Sequence, residues 1–106
     1  MTTRREKLEA MLLASPADQT LRYMLGLELE KEGQHERSLE LLMGLQADST
    51  PYVPAFLMAG QQLTRQGRIP EAIAVYQQGI QAAEVQGNSH ASGEMAGFLA
   101  AITDQC

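Results

Sequence analysis

Few residues of this 106-residue chain carry side chains that could perform catalysis. The histidines are His35 and His90, and the single thiol is Cys106, the last residue of the sequence. A nucleophile needs a base within hydrogen-bonding reach, and a reactive thiol needs an electropositive, partly exposed setting. The sequence brings no such partner to these three residues, so we interpret both histidines as surface residues near turns or helix starts. The sequence therefore predicts no catalytic residue and no enzyme.

Metal and nucleotide sites are not predicted either. Glu28, Glu30 and Glu32 alternate along a helical segment, so their carboxylates point to different faces and cannot close on one ion. The segment GQHERS lacks the Gly-Lys-Ser/Thr ending that surrounds a phosphate. The glycines near the C-terminus follow no predicted strand, so they do not form a dinucleotide fingerprint. We expect no metal and no cofactor.

Composition narrows the class of partner. The net charge is -5, from 8 basic and 13 acidic residues, which disfavours binding to nucleic acid or to an anionic membrane surface. The apolar run LEAMLLA is interrupted by Glu9 and is too short for a secretion signal, and no stretch approaches the roughly 18 residues of a membrane span. With one cysteine, no disulfide can form within the chain. We expect a cytoplasmic protein.

The elements that would position any site are helices. Apolar residues recur at helical spacing in six segments, and no credible strand is present. Pro54 and Pro70 suit the first turns of the fourth and fifth helices, and Gly87, Asn88 and Ser89 separate the fifth from the sixth. The connections are short, which favours antiparallel neighbours. The sequence predicts an all-α fold in a single domain, residues 1–106.

The sequence also repeats itself with a period of 34 residues. At this offset Met24 aligns with Met58, Gly26 with Gly60, Leu29 with Leu63 and Gly33 with Gly67. Small or apolar residues align further on, with Ser38 matching Ala72. The identities include both glycines and a leucine at one fixed spacing, which indicates two copies of one helical unit.

The segments LGLELEKEGQHERSLELL and AGQQLTRQGRIPEAIAVY resemble the tetratricopeptide repeat (TPR), a helix–turn–helix unit of this length. Both contain the glycine of the first helix, the turn glycine and the small residue that opens the second helix. The resemblance implies an α-solenoid with two full repeats, residues 19–52 and 53–86. Residues 3–16 then form the second half of a truncated repeat, and residues 89–104 form a capping helix.

The resemblance explains why helices accept glycine. It implies that Gly26 and Gly60 lie where the partner helix crosses closely, so that a side chain would push the two backbones apart. Gly33 and Gly67 are expected to end their helices in the left-handed conformation. Two departures stand out: the family's usual aromatic residue is replaced by Arg22 in the first repeat, and its closing proline is replaced by Glu84 in the second. The missing proline predicts a longer fifth helix.

The resemblance implies a non-catalytic scaffold or adaptor that binds a protein or peptide in a groove lined by the first helix of each repeat. These slots do not hold the Lys, Asn and Arg set that grips a free C-terminal carboxylate, so no carboxylate clamp is predicted. Tyr23, Leu27 and Leu57 have a second interpretation, in which they only pack against flanking helices. The predicted groove residues are Tyr23, Leu27, Glu30, Lys31, Tyr52, Leu57, Gln61, Thr64 and Arg65.

The last helix suggests a different function. Its segment MAGFLAAI is apolar on most sides, and such a helix must be covered by something. Docking on the fifth helix accounts for one face. The remainder, with small Gly97 and Ala100, could form a two-fold contact with a second copy. The alternative to a peptide-binding adaptor is therefore a self-assembling structural protein that forms a homodimer and has no foreign ligand.

Overall fold

The computed structural model of the protein describes residues 2–104. Met1, Gln105 and Cys106 lie outside the described residues, and with them the expectation that Cys106 has no chemical role. Residues 2–104 form six helices and no strand, which confirms the all-α prediction. The helices are α1 (Arg4–Ala14), α2 (Gln19–Lys31), α3 (His35–Gln46), α4 (Val53–Arg65), α5 (Ile69–Val85) and α6 (Ser89–Thr103).

Local sequence signals fix where the helices begin. Thr3 forms a capping box with the third residue of α1, and Asp18 and Asn88 accept backbone N–H hydrogen bonds at the starts of α2 and α6. Pro54 and Pro70 lie in the first turns of α4 and α5, as predicted. Proline is tolerated there because the backbone N–H groups of the first turn have no acceptor within the helix, so the N–H that proline lacks costs no hydrogen bond.

Packing follows chain order. The helices pack in sequence as hairpins, α2 against α3, α4 against α5 and α5 against α6, while α3 also packs against α4 and α1 against α2. A small apolar cluster of Leu8, Leu25 and Leu29 holds α1 on α2. The main core joins α3, α4, α5 and α6, and its largest fully buried apolar side chains are Leu42, Leu45, Tyr76 and Met95.

Three glycines end helices in the same way. Gly33, Gly67 and Gly87 have φ angles of 81°, 75° and 73°, a region that side-chain-bearing residues rarely adopt. In each turn the amide after the glycine donates to the carbonyl five residues earlier, at 2.8 to 2.9 Å. This confirms the prediction for Gly33 and Gly67. Gly87 shows that α6 follows α5 through the same turn that closes the two earlier hairpins.

The fifth helix is longer than its counterpart in the preceding hairpin. It has 17 residues, whereas α3 has 12. Glu84 stands where the family would place a helix-ending proline, so the helix continues until Gly87 breaks it. The predicted extension is confirmed.

The close helix crossings differ from the prediction. A Cβ atom on Gly60 would overlap the ring of Tyr76, and a Cβ on Gly26 would lie 3.3 Å from Leu42 Cδ2. Gly60 therefore makes room for a side chain of the partner helix, whereas Gly26 faces both Leu42 and the backbone carbonyl of Ser38, whose oxygen lies 3.9 Å from the added Cβ. At Gly60 the expected approach of two backbones was wrong, because Tyr76 projects from the second helix into the space left by the glycine.

Arg22 replaces the expected aromatic residue with a polar link between α2 and the loop after α3. Its Nη1 lies 2.7 Å from Asp48 Oδ2 and its Nη2 lies 3.2 Å from Asp48 Oδ1. Gln19 Nε2 donates to Asp48 Oδ2 at 2.9 Å. Hydrogen bonding from Arg22, with a smaller contribution from Gln19, lowers the pKa of Asp48 below its ordinary 3.8.

This link predicts a dependence of stability on pH. Because the pKa of Asp48 is lower in the folded chain than in the unfolded one, its contribution is present above the ordinary value of 3.8 and is lost as pH falls through the folded pKa. Asp48→Asn should flatten the fall of the thermal midpoint below about pH 4. Circular dichroism melts over a pH series measure this. Glu84→Gln removes an exposed carboxylate that has no ion pair within residues 2–104, and it should leave the slope unchanged.

Candidate functional site

The predicted groove residues lie on α2 and α4, except for Tyr52, which immediately precedes α4. Two contacts bring the helices together: the rings of Tyr23 and Tyr52 lie 5.3 Å apart, and Arg65 Nη2 lies 3.8 Å from Glu30 Oε1. Lys31 and Arg65 are exposed, and the other seven predicted residues are partly buried. We call the surface formed by α2, α4 and α6 the groove face.

One end of the groove face is a tyrosine pair. The planes of Tyr23 and Tyr52 are tilted by 53°, and both rings pack partly against the main core. Burial, and then the neighbouring Tyr52, raises the pKa of Tyr23. The hydroxyl of Tyr23 is therefore protonated at neutral pH and can donate a hydrogen bond.

The groove face also holds an unusual carboxylate in the last turn of α2. Glu30 Oε1 lies 2.8 Å from His35 Nδ1, whereas Glu30 Oε2 is shielded from solvent and has no hydrogen-bond partner within the described residues. His35 is half exposed, as the surface interpretation requires, but it also contacts Glu30. Sequence reasoning missed this contact, although the signal was available: His35 follows Glu30 by five residues, across the turn at Gly33.

The other end of the groove face opens into a cleft between α4 and α6, which we call the α4–α6 cleft. Its volume is about 420 Å³. Three predicted residues form its polar edge, and the ring of Phe98 stacks on that of Tyr76 with centroids 6.0 Å apart and planes 11° apart. The cleft is lined by Gln61, Thr64, Arg65, Tyr76, Phe98, Ala101 and Ile102.

The apolar wall and the polar edge of the α4–α6 cleft are both fixed in place. Tyr76 is only 1% exposed, and burial raises its pKa, although a hydrogen bond with Thr64 and the charge of Arg65 oppose the rise. Thr64 Oγ1 donates to the Gly60 carbonyl at 2.7 Å. Phe98, at 38% exposed, leaves apolar area open to a ligand.

The remaining apolar groove residues are less available. Leu57 packs partly against the core and faces α6, where Ala91 and Met95 join it around a space of only about 110 Å³. Leu27 is partly buried. Leu57 therefore fits the packing interpretation, whereas Gln61, Thr64 and Arg65 border the larger cleft.

Residues 2–104 carry neither a cluster of metal-ligating side chains nor a membrane-spanning helix. Within that span, no three side chains among histidine, cysteine, aspartate and glutamate are grouped so that they could hold a metal ion. None of the helices described there is both long enough and apolar enough to cross a membrane.

Comparison with known proteins supports the fold. The chain is similar to a tetratricopeptide repeat domain protein from Salinibacter ruber, with 29% identity, a TM-score of 0.77, and coverage of 82% of this chain and 88% of that one. It is also similar to a protein from Bordetella parapertussis, with 29% identity, a TM-score of 0.80, and coverage of 99% and 91%. No family model matches the sequence, and no curated protein matches it. Six helices packed in sequence as hairpins, with this likeness, give a tetratricopeptide-like fold, as predicted.

Proposed function

Taking the tetratricopeptide-like fold as the premise, we propose that this chain is a non-catalytic cytoplasmic adaptor that binds a peptide segment of a partner protein on the groove face. The fold implies a role in protein interaction in general. The observation that carries the specific proposal is the α4–α6 cleft, where an apolar wall meets the cation of Arg65. The net charge of -5 argues against nucleic acid and anionic membranes as partners.

The domain organisation belongs to the same proposal. Residues 19–52 and 53–86 are two full repeats within one domain of residues 1–106, flanked by residues 3–16 and 89–104. The matching turn glycines, Gly33 and Gly67, support this division. The two repeats supply the predicted groove residues, and the final segment supplies the second wall of the cleft.

The cleft suits a peptide with a bulky apolar side chain next to an acidic one. The apolar side chain would pack on Phe98 and Ile102, and burying it is worth about 1.5–3 kcal/mol. The Arg65 side chain is 57% exposed, and its contact with Glu30 is long, with Nη2 3.8 Å from Oε1. Most of its five N–H donors therefore remain open to a ligand carboxylate. Gln61 and Thr64 lie where a peptide backbone would pass.

The free C-terminus of the peptide has no part in this binding mode. Tyr23, Leu27, Leu57 and Gln61 occupy the slots in which family members carry a carboxylate clamp. A peptide amide should therefore bind as well as the matching free acid, which separates this mode from clamp recognition.

Arg65→Glu should reduce capture of the partner from native lysate about tenfold, because it replaces attraction for an acidic group with repulsion. Tyr23→Ala should reduce capture less, since Tyr23 lies at the other end of the groove face. Capture by immobilised protein, with quantitative mass spectrometry, measures both effects. Arg37→Glu makes the same charge change at an exposed residue outside the predicted groove and serves as the control. If every partner survives both changes, the groove assignment is wrong.

The alternative is self-assembly through α6. The observation that favours it is the exposed side of that helix, where Ala96, Gly97 and Ala100 lie near the partly exposed Phe98. Light scattering during size-exclusion chromatography separates the two functions. A stable dimer that Gly97→Arg converts to a monomer would favour a structural homodimer, and a monomer would favour the adaptor.

A further inference from the structure

A second cleft lies between α3 and α5, on a different face of the molecule. The two helices pack against α4 from either side, α3 also against α2 and α5 also against α6, and this leaves a space of about 240 Å³ between them. We call it the α3–α5 cleft. It shares no lining residue with the α4–α6 cleft.

The floor of the α3–α5 cleft is apolar. Leu39, Leu63 and Val75 are buried members of the main core and form its base. Met43 borders the cleft and is 53% exposed, which makes it one of the few large apolar side chains that the helices leave open to solvent. A flexible thioether over an apolar floor is a surface that adapts to a variety of apolar side chains.

The rim of the α3–α5 cleft is acidic. Three carboxylates, those of Glu36, Glu40 and Glu71, stand against one guanidinium, that of Arg68. Arg68 Nη1 lies 3.1 Å from Glu36 Oε1 and its Nη2 lies 2.7 Å from Glu71 Oε2, so this cation is already shared by two carboxylates. Glu40 is exposed and has no ion pair or hydrogen bond to another side chain within residues 2–104. The rim therefore keeps a net negative charge, with Glu40 open to a partner.

The size of the cleft limits what it can hold. Drug-sized ligands occupy pockets of about 300–1,000 Å³, so a space of about 240 Å³ is too small for most of them. It is large enough for one or two apolar side chains that project from a chain lying across the rim. An apolar side chain on such a chain needs neighbours whose charge complements the carboxylates.

We propose that the α3–α5 cleft is a second docking surface, which takes a basic segment of a partner protein with a bulky apolar side chain. The apolar side chain enters between Met43 and Val75, above Leu63, and an adjacent lysine or arginine pairs with Glu40. This surface goes beyond the proposed peptide groove, since it uses the second helices of the hairpins and selects the opposite charge. The chain would then hold two segments at once, an acidic one at Arg65 and a basic one at Glu40.

Nuclear magnetic resonance of the ¹⁵N-labelled full chain tests this proposal with three short peptides, each acetylated and amidated. Their cores are Lys-Leu-Lys, Glu-Leu-Glu and Lys-Ser-Lys in otherwise identical sequences. The first should produce saturable shifts in the amides of Met43, Ala74 and Gln78. The Glu-Leu-Glu peptide should not shift these three amides, because the acidic rim repels it. The Lys-Ser-Lys peptide should not shift them either, because it lacks the apolar side chain.

Variants decide whether the shifts report the cleft. Glu40→Lys should weaken binding of the Lys-Leu-Lys peptide at least about tenfold, and Met43→Ser should weaken it by a similar factor. Glu84→Lys makes the same charge change elsewhere and should leave the affinity unchanged. Glu40, Met43 and Glu84 are all exposed, so the fold should tolerate the three substitutions.

Several outcomes would overturn the proposal. They are absence of saturable shifts with Lys-Leu-Lys, equal shifts with Glu-Leu-Glu, or shifts confined to Gln61, Arg65 and Ala101. Shifts at Met43 and Ala74 that depend only on protein concentration would show that a second copy fills the cleft, and would also overturn it. The groove proposal has its own test in Arg65→Glu, and of these results only Lys-Leu-Lys shifts confined to Gln61, Arg65 and Ala101 would also count against it.

Discussion

Gly60→Ala should lower the free energy of unfolding by about 1–3 kcal/mol, although alanine is the better helix former. The new methyl group would overlap the ring of Tyr76, which is fully buried and stacked on Phe98, so the ring has little freedom to withdraw. Gly93→Ala is the matched control, because Gly93 is in α6 and a Cβ there meets nothing within 4 Å. That change should raise the free energy of unfolding by about 0.5–1 kcal/mol.

Urea denaturation of the two variants and the parent protein measures the difference in sign. A second comparison identifies the responsible contact: in a Tyr76→Leu background, where the smaller side chain leaves room, Gly60→Ala should lose most of its destabilising effect. If Gly60→Ala and Gly93→Ala both stabilise the protein, the overlap with Tyr76 is not a real constraint. If Gly60→Ala destabilises equally in both backgrounds, some neighbour other than Tyr76 is responsible.

The sequence predicted where the glycines lie but not what they contact. A period of 34 residues aligns Gly26 with Gly60 and places both in the first helix of a hairpin. The period cannot show that Tyr76 projects into one space while Leu42 and the Ser38 carbonyl border the other, because that depends on side-chain rotamers across the hairpin. The two glycines are therefore equivalent in sequence and unequal in packing, and Gly60 is the more constrained of the two.

The candidate site was predictable in part for a similar reason. Gln61, Thr64 and Arg65 follow from the repeat, and they border the α4–α6 cleft. Phe98 and Ile102 form the other wall, but the last helix does not match the repeat in register, so no alignment could place them there. The contact between Glu30 and His35 is different: it is local, and helix-end geometry could have predicted it from the spacing alone.

Two buried polar side chains, Ser38 and Gln62, link the first hairpin to the second. Substitutions at these two residues should have opposite effects on stability. Ser38 Oγ donates to the Gly26 carbonyl at 2.6 Å, and Gln62 Nε2 donates to Ser38 Oγ at 2.9 Å. Ser38 is completely buried, and Gln62 is 1% exposed. Gln62 Oε1 is also buried and has no hydrogen-bond partner within the described residues. Gln62 therefore brings one satisfied and one unsatisfied polar atom into the interface.

Ser38→Ala should lower the free energy of unfolding by about 1–3 kcal/mol, because it leaves the buried Gln62 amide without its acceptor. Gln62→Met should be neutral or stabilising by up to about 1 kcal/mol, since it removes the unsatisfied oxygen at nearly constant volume. Ser38 retains its hydrogen bond to the Gly26 carbonyl in this variant. The double variant should recover most of the loss caused by Ser38→Ala. Urea denaturation of all four proteins closes the cycle. If Gln62→Met lowers the free energy of unfolding as much as Ser38→Ala does, the Gln62 amide stabilises the junction between the hairpins. Its unsatisfied oxygen would then not be destabilising.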